Sequence, residues 1–234
     1  MILSISNLRG WYGAAQILFG LDFEVGAGQT VALLGRNGAG KSTTFKAIAG
    51  LLGRRDGRVT FAGQDVSREP TYTIVRRGLG YVPEDRRIFP DLTVEENLEV
   101  GRQPPRAGVP YWTPERLYGL FPNLGAMRKR AGGAMSGGEQ QMLTIARSLM
   151  GNPSLVLLDE PSEGLAPKLV EDVAHAIRTL KGEGLSLLVS EQNLHFVRLI
   201  CDRAVVIERG QVRFAGTMAE IEANAEICEA FLTV

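Results

Sequence analysis

The chain has 234 residues, of which 26 are Lys or Arg and 26 are Asp or Glu, so its formal net charge is zero. This length is enough for one large domain or two small ones, and the balanced charge gives no bulk attraction to nucleic acid or to an anionic membrane. The two cysteines, Cys201 and Cys228, form no C-x-x-C pair, which argues against a disulfide framework or a zinc site. The longest uncharged apolar runs are strand-sized, far short of the roughly 20 residues of a membrane span.

Apolar strands alternate with helical stretches along the chain, starting with a strand at Ile2–Leu8. The other predicted strands are Thr30–Leu34, Val59–Phe61, Leu79–Val82, Leu155–Leu158, Leu185–Val189 and Ala204–Ile207. This alternation predicts an α/β fold with a mainly parallel central sheet. Two short helices, Thr217–Ala223 and Glu226–Leu232, are predicted to close the chain.

The second predicted strand runs directly into a glycine-rich octapeptide that fits the pattern G-x-x-x-x-G-K-[S/T]. Glycines let successive backbone N–H groups face inward as an anion nest, and the helix that starts near Lys41 directs its positive end to the same point. Lys41 is placed to reach the β- and γ-phosphates of a nucleotide, and Ser42 to reach Mg²⁺. The residues assigned to nucleotide binding here are Gly35, Arg36, Asn37, Gly38, Ala39, Gly40, Lys41, Ser42 and Thr43.

No convincing strand occurs from about Asp91 to Gly151, where helices are predicted around Val94–Val100 and Pro114–Phe121. A third helix follows the segment Met135–Gln141, in which a serine and two glycines precede an apolar helical pattern. A hydroxyl, bare backbone amides and a helix dipole together make a second anion site. A serine-capped helix start without a ligand is the alternative.

Residues Ser154–Glu160 form a short apolar run that ends in two carboxylates. The run predicts a buried parallel strand whose carboxyl end faces the ligand. Asp159 is placed to hold Mg²⁺, and Glu160 to polarise the attacking water. Taken alone the pattern is weak, because any buried strand that enters an acidic loop imitates it.

Together and in this order, the motifs resemble those of the ATP-binding cassette (ABC) ATPases. The resemblance covers nearly the whole chain and implies one P-loop NTPase domain with an N-terminal antiparallel β part. It divides residues 1–234 into a nucleotide-binding core, 1–90 and 152–234, and an inserted helical subdomain, 91–151. The segment Ser136–Gln140 resembles the family's signature motif, which clasps the γ-phosphate of ATP held by the opposite subunit. The resemblance assigns this role to Ser136, Gly137, Gly138 and Glu139.

Tyr12 matches the aromatic residue that stacks on adenine in this family, and a core-packing role is the alternative. Within the family, residues 80–90, 92–98, 160–167 and 191–193 resemble the LivF-type ATPases of branched-chain (hydrophobic) amino acid importers. Related urea and amide importers share much of this sequence, and a soluble ABC ATPase without a transport role is a further alternative.

The resemblance implies ATP and Mg²⁺ as ligands and a position in the cytoplasm, peripheral on the inner face of the membrane. It also implies transmembrane permease subunits and a second ATPase subunit as partners, the latter either another copy or a different chain. A periplasmic or extracellular solute-binding protein would take part indirectly, and no nucleic acid is expected.

Three positions depart from the general cassette pattern. Glu84 replaces the usual Q-loop glutamine, where a carboxylate can ligate Mg²⁺ or orient water. Ala166 replaces the D-loop aspartate and so lacks its side-chain contact across the dimer. Gln192 stands at the switch-histidine position, where an amide can donate to a γ-phosphate but carries no charge. Glu160, Gln192 and Glu84 are therefore the candidate catalytic residues, and Ser42, Glu84 and Asp159 the candidate metal ligands.

Overall fold

The computed structural model of the protein describes residues 1–227. Its strands are β1 (Leu3–Tyr12), β2 (Ala15–Val25), β3 (Thr30–Leu34), β4 (Arg54–Phe61), β5 (Gln64–Asp65), β6 (Leu79–Val82), β7 (Leu155–Asp159), β8 (Ser186–Glu191), β9 (Arg203–Glu208) and β10 (Gln211–Thr217). Its α-helices are α1 (Lys41–Ile48), α2 (Thr71–Arg76), α3 (Val94–Gly101), α4 (Pro114–Leu120), α5 (Pro122–Ala126), α6 (Gly137–Leu149), α7 (Pro167–Gly182), α8 (Leu194–Ile200), α9 (Met218–Ala223) and α10 (Ala225–Ile227).

The larger sheet has six strands in the order β10-β9-β3-β8-β7-β6. Neighbouring strands from β9 to β6 run parallel, and β10 runs antiparallel to β9. All residues of β3, β7 and β8 are buried, as expected for strands covered on both faces. The prediction of a mainly parallel central sheet is confirmed.

A second sheet of four antiparallel strands has the order β2-β1-β4-β5. The sequence prediction found parts of β1 and β4 but omitted β2, although Leu21, Phe23 and Val25 are buried and alternate with exposed Asp22 and Glu24. This alternation with a period of two is typical of a strand with one buried face. A search for continuous apolar runs misses such a strand.

Strand β10 was also omitted from the prediction. It follows β9 through a two-residue turn, Arg209-Gly210, in which both residues have positive φ (47° and 72°). Tight hairpins favour such turns because their twist matches that of the strands, but Asn-Gly is the usual sequence signal. The turn here is Arg-Gly, and β10 carries exposed polar side chains, so there was no clear indication of a hairpin in the sequence.

The region 91–151 is helical, with α3 to α6 and a short 3₁₀ helix at Gly132–Ala134. Its buried side chains, among them Trp112, Leu117 and Phe121, belong to one hydrophobic cluster with residues of the large sheet such as Leu34 and Val82. The helical region therefore packs on the sheet through a continuous apolar core.

Thr217 caps α9 through a capping box with Glu220, so the helix begins one residue later than predicted. The second predicted terminal helix overlaps α10, and its residues from Cys228 onward lie outside the described part of the chain. Cys201 is buried in the main core. Among residues 1–227, no helix combines the length and the apolar character that a membrane crossing requires.

Candidate functional site

The glycine-rich loop connects β3 to α1 and is shaped by three glycines. Gly38 and Gly40 have φ angles of 79° and 109°, a region that side chains with a Cβ atom rarely adopt. A Cβ atom on Gly35 would collide with the carbonyl oxygen of Ile207 in β9. The loop therefore curls tightly against the sheet, as a phosphate-binding nest requires.

The turn between β9 and β10 holds this loop from the side. The Gly210 N–H donates to the Ala39 carbonyl over 2.8 Å, and the Gly210 carbonyl accepts from the Phe19 N–H over 2.8 Å. A Cβ atom on Gly210 would collide with the Ile17 carbonyl. The C-terminal hairpin thus joins the glycine-rich loop to β2 of the other sheet.

Lys41 begins α1 and points back into the loop. Its Nζ donates to the carbonyls of Gly35 (2.8 Å) and Arg36 (3.3 Å) and forms an ion pair with Glu160 Oε1 at 3.0 Å. The Lys41 and Glu160 side chains are only 3% and 6% exposed. A phosphate at this ammonium group would therefore compete with the Glu160 carboxylate.

Glu160 follows β7 with an uncommon positive φ of 46°. Its backbone N–H donates to the Ser190 carbonyl (3.1 Å) and to Ser190 Oγ (3.0 Å), which hold this conformation. Its Oε2 accepts from Gln192 Nε2 at 3.2 Å, and the same amide donates to Asn37 Oδ1 at 3.1 Å. Burial raises the pKa of Glu160, but hydrogen bonds from Glu163 and Lys41 outweigh it, so the pKa lies below its usual range.

Asp159 is a buried carboxylate that accepts three hydroxyl hydrogen bonds. Its Oδ1 accepts from Ser190 Oγ (2.6 Å) and Ser42 Oγ (3.1 Å), and its Oδ2 accepts from Tyr81 OH (3.2 Å). Burial raises the pKa of Asp159, and the three hydroxyls counteract this only in part. Burial and the charge of Asp159 also raise the pKa of Tyr81, so its hydroxyl remains a donor.

These donors fit a bound Mg²⁺. Asp159 has no cationic side chain as an ion-pair partner within residues 1–227, and Ser42 Oγ lies beside its carboxylate. In the same residues, no three His, Cys, Asp or Glu side chains cluster closely enough to form a metal site by themselves. Mg²⁺ commonly takes one or two protein oxygens, waters and substrate phosphates, which agrees with this sparse set.

A cleft of about 460 Å³ opens above the glycine-rich loop. Its lining residues are Tyr12, Ile17, Asn37, Gly38, Gly40, Lys41, Ser42, Thr43, Glu84, Glu160 and Glu163. Tyr12 is 48% exposed, so its ring is available at the cleft rather than packed in the core. Glu84 brings a further carboxylate to the cleft, close to the place predicted for the phosphates.

Glu163 was not among the predicted site residues. The hydrogen bond to Glu160, followed by burial, raises the pKa of Glu163 to about 7, so the two carboxyl groups share a proton near neutral pH. Its position close after Asp159 and Glu160 in the sequence could have indicated a role in the site. The contact between the Glu160 and Glu163 side chains, however, depends on the turn that follows Glu160. Tyr81 and Ser190 were missed as well. Tyr81 lies in the stretch 80–90 that carries the LivF-type resemblance, but the resemblance assigns it no role, and Ser190 belongs to none of the motifs.

We expect Glu163→Gln to change how stability depends on pH. Folding raises this pKa above 4.5, so the protonated carboxyl stabilises the fold below about pH 4.5, and this contribution is lost as the pH rises to about 7. The melting temperature of the variant relative to wild type should therefore rise between pH 4.5 and 8. The change in the free energy of unfolding should stay below about 1 kcal/mol, because Glu163 is exposed to solvent. A stability difference between variant and wild type that does not change with pH would contradict the shared proton.

The segment Ser136–Glu139 lies elsewhere and does not line this cleft. Ser136 Oγ accepts from the Glu139 N–H (3.4 Å), and Glu139 Oε2 accepts from the Ser136 N–H (2.7 Å), which forms a capping box at the start of α6. Gly138 packs so closely against Leu169 of α7 that a Cβ atom would collide with it. Ala166 caps α7 without a side-chain hydrogen bond.

The fold and the glycine-rich cleft define a nucleotide-binding cassette, and the comparisons with known proteins agree. The family model described as ABC transporter matches residues 18–163, and the chain belongs to that family. It is 38% identical to the high-affinity branched-chain amino acid transport ATP-binding protein BraG of Pseudomonas aeruginosa, over 99% of both chains. It is 33% identical to the lipopolysaccharide export ATP-binding protein LptB of Haemophilus influenzae, over 99% of this chain and 97% of that one.

Solved structures give the same result. The chain superposes on a nucleotide-free ATP-binding cassette from an ABC transporter with a TM-score of 0.82, 26% identity and 97% coverage of both chains. The ADP conformation of the cassette MJ1267 gives a TM-score of 0.80 and 28% identity, again over 97% of both. The protein is thus an ATP-hydrolysing subunit of the ABC transporter type.

Proposed function

We propose that the chain energises a membrane importer for branched-chain or other hydrophobic amino acids. The observation that carries this proposal is the 38% identity to BraG over 99% of both chains. The probable branched-chain amino acid transport ATP-binding protein LivF of Archaeoglobus fulgidus supports it, at 34% identity over 94% of both chains. LptB, at 33%, favours lipopolysaccharide export as the second candidate.

In this proposal, ATP binds in the cleft above the glycine-rich loop, with Tyr12 stacked on the adenine. The loop amides and Lys41 hold the phosphates, and Ser42, Asp159 and Glu84 hold Mg²⁺. The metal supplies positive charge that offsets the charge developing on the phosphates. Glu160 orients and polarises the attacking water as general base, and Gln192 donates a hydrogen bond toward the γ-phosphate.

The signature segment acts in the cleft of a second cassette, either another copy of this chain or a different subunit. Two observations support this arrangement: the segment does not line the chain's own cleft, and it starts a helix with a serine cap. Closure of the two cassettes around two ATP molecules then drives the permease between its inward- and outward-facing states, and hydrolysis resets the dimer. A solute-binding protein outside the cytoplasmic membrane delivers the amino acid.

A groove of about 420 Å³ on the surface of the chain supports the proposal that a permease subunit binds it. It lies where β6, α3 and α6 meet and is lined by Phe89, Val100 and Leu51, which are 44%, 54% and 47% exposed. Exposed apolar side chains gathered in one groove are typical of an interaction site. We propose that a short cytoplasmic segment of the permease occupies this docking groove, which places the chain on the inner face of the membrane.

Uptake of labelled leucine tests the transported solute. Cells that lack this gene should lose high-affinity leucine uptake, and the wild-type gene should restore it, while Lys41→Ala should not. Normal leucine uptake together with a defect in lipopolysaccharide export would assign the second candidate. Loss of urea uptake instead would assign the related urea importers.

Ser136→Arg tests the role of the signature segment in the partner's site. The bulky side chain replaces the helix cap and obstructs the second anion site, so ATP binding to the isolated chain should stay within about twofold of wild type while ATP-dependent dimerisation is lost. Fluorescent nucleotide titration and sedimentation measure the two properties. Ser6→Arg, at an exposed position of β1, is a size-matched control for dimerisation. Equal loss of binding and dimerisation would mean that the segment serves the chain's own cleft.

A further inference from the structure

Tyr81 belongs both to the docking groove and to the surroundings of the Asp159 carboxylate. It lies on β6, the edge strand of the large sheet, where it pairs with Leu157 of β7. Its ring meets Phe45 of α1 edge to face, with centroids 6.5 Å apart. Tyr81 is one of the residues that line the docking groove, and its hydroxyl donates to Asp159 Oδ2 at 3.2 Å.

The hydrogen bonds to Asp159 divide unequally between its two oxygens. Oδ1 accepts from two serine hydroxyls, of which Ser42 is also a candidate metal ligand. Oδ2 accepts from the Tyr81 hydroxyl. If Ser42 turns toward a metal, Ser190 and Tyr81 remain, one on each oxygen, and together they prevent rotation of the carboxylate about its Cβ–Cγ bond.

We propose that Tyr81 is a positioning residue for the metal site, which fixes the Oδ2 oxygen of Asp159 so that the carboxylate meets Mg²⁺ in one orientation. The inference rests on the proposed role of Asp159 in holding Mg²⁺. Some groups hydrogen-bond to a metal ligand without touching the metal. Removing such a group generally lowers metal affinity or activity by about 10- to 100-fold. Because Tyr81 also lines the docking groove, one residue contacts both the proposed permease site and the candidate metal ligand.

Tyr81→Phe tests this inference because it removes the hydroxyl and keeps the ring. A fluorescent, non-hydrolysable ATP analogue is bound to the purified chain at increasing Mg²⁺ concentration, so that no turnover is needed. The Mg²⁺ concentration at half-maximal effect should rise by about 10-fold or more. Affinity for the analogue in EDTA should stay within about twofold of wild type, which shows that the cleft is folded. Tyr72→Phe, which removes a hydroxyl from an exposed tyrosine on α2, is the matched control and should behave as wild type.

Asp159→Asn tests the metal site independently of the role of Tyr81. If wild-type affinity does not respond to Mg²⁺, or if Asp159→Asn leaves the response unchanged, the proposed metal site is wrong. If Asp159→Asn weakens the response and Tyr81→Phe stays within about twofold of wild type, the metal site stands and the role of Tyr81 is refuted. A loss of analogue affinity in EDTA by Tyr81→Phe would also refute it, since the residue would then support the fold of the cleft and not the metal.

Discussion

Glu160→Gln is expected to lower the rate of ATP hydrolysis by about two to four orders of magnitude while ATP still binds. The substitution keeps the shape of the side chain but removes the basic oxygen. In the structure the two carboxylate oxygens contact Lys41 Nζ (3.0 Å) and Gln192 Nε2 (3.2 Å), so the side chain is already held at the cleft. Steady-state phosphate release and nucleotide titration of the same preparation measure the two effects.

The variant should also favour a dimer that traps ATP, detectable by sedimentation, because closure no longer leads to hydrolysis. Glu183→Gln makes the same chemical change at an exposed position at the end of α7 and serves as the control. Wild-type turnover by Glu160→Gln would move the general base to another residue. Glu163, with its pKa raised to about 7 beside Glu160, would then be the first residue to examine.

Lys41→Ala is expected to reduce the rate of ATP hydrolysis by about 10²- to 10³-fold or more. It removes the preorganised positive charge that the Lys41 ammonium group places beside the phosphates. The structure adds a second consequence. Lys41 and Glu160 form a buried ion pair, and removing one partner leaves the other charge buried and unpaired, which typically costs about 3–5 kcal/mol. The variant should therefore show a lower midpoint of chemical denaturation as well as weaker ATP binding.

A double variant separates these effects. Lys41→Ala combined with Glu160→Gln removes both charges, so it should regain much of the lost stability but none of the activity. Denaturation midpoints of the two single variants and the double variant give the coupling between the side chains. Near wild-type hydrolysis by Lys41→Ala would refute the P-loop assignment. Equal stability of all variants would show that the ion pair contributes little to the fold.

The sequence predicted the parts of the cleft that depend on local spacing. The glycine-rich loop lies between a buried strand and a helix in both the prediction and the structure, because strand, turn and helix are contiguous in the chain. Ser42 and Asp159 were both predicted as metal ligands, the latter at the carboxyl end of a parallel strand, and the two side chains are 3.1 Å apart. The α/β class follows from the same alternation of strands and helices.

Contacts between distant elements could not be predicted in this way. Ser190 lies at the end of β8, yet its hydroxyl donates to Asp159 and accepts from the Glu160 N–H. That role depends on β7 and β8 being neighbours, which no pattern within either strand specifies. The same holds for Tyr81, whose contact with Asp159 requires that β6 pairs with β7. Strand order, not local propensity, creates these contacts.

The position of Gly210 has a consequence for synthesis of the protein on the ribosome. The loop after β3 is held by the turn between β9 and β10, and β3 itself lies between β8 and β9, all from the final quarter of the chain. At about 5–20 residues per second, these partners emerge on the order of ten seconds after β3. A nascent chain that ends before Gly210 therefore lacks a finished phosphate site, however early its glycines are made. ATP can therefore select for the native fold only after the β9–β10 hairpin has been made and has closed against β2 and the glycine-rich loop.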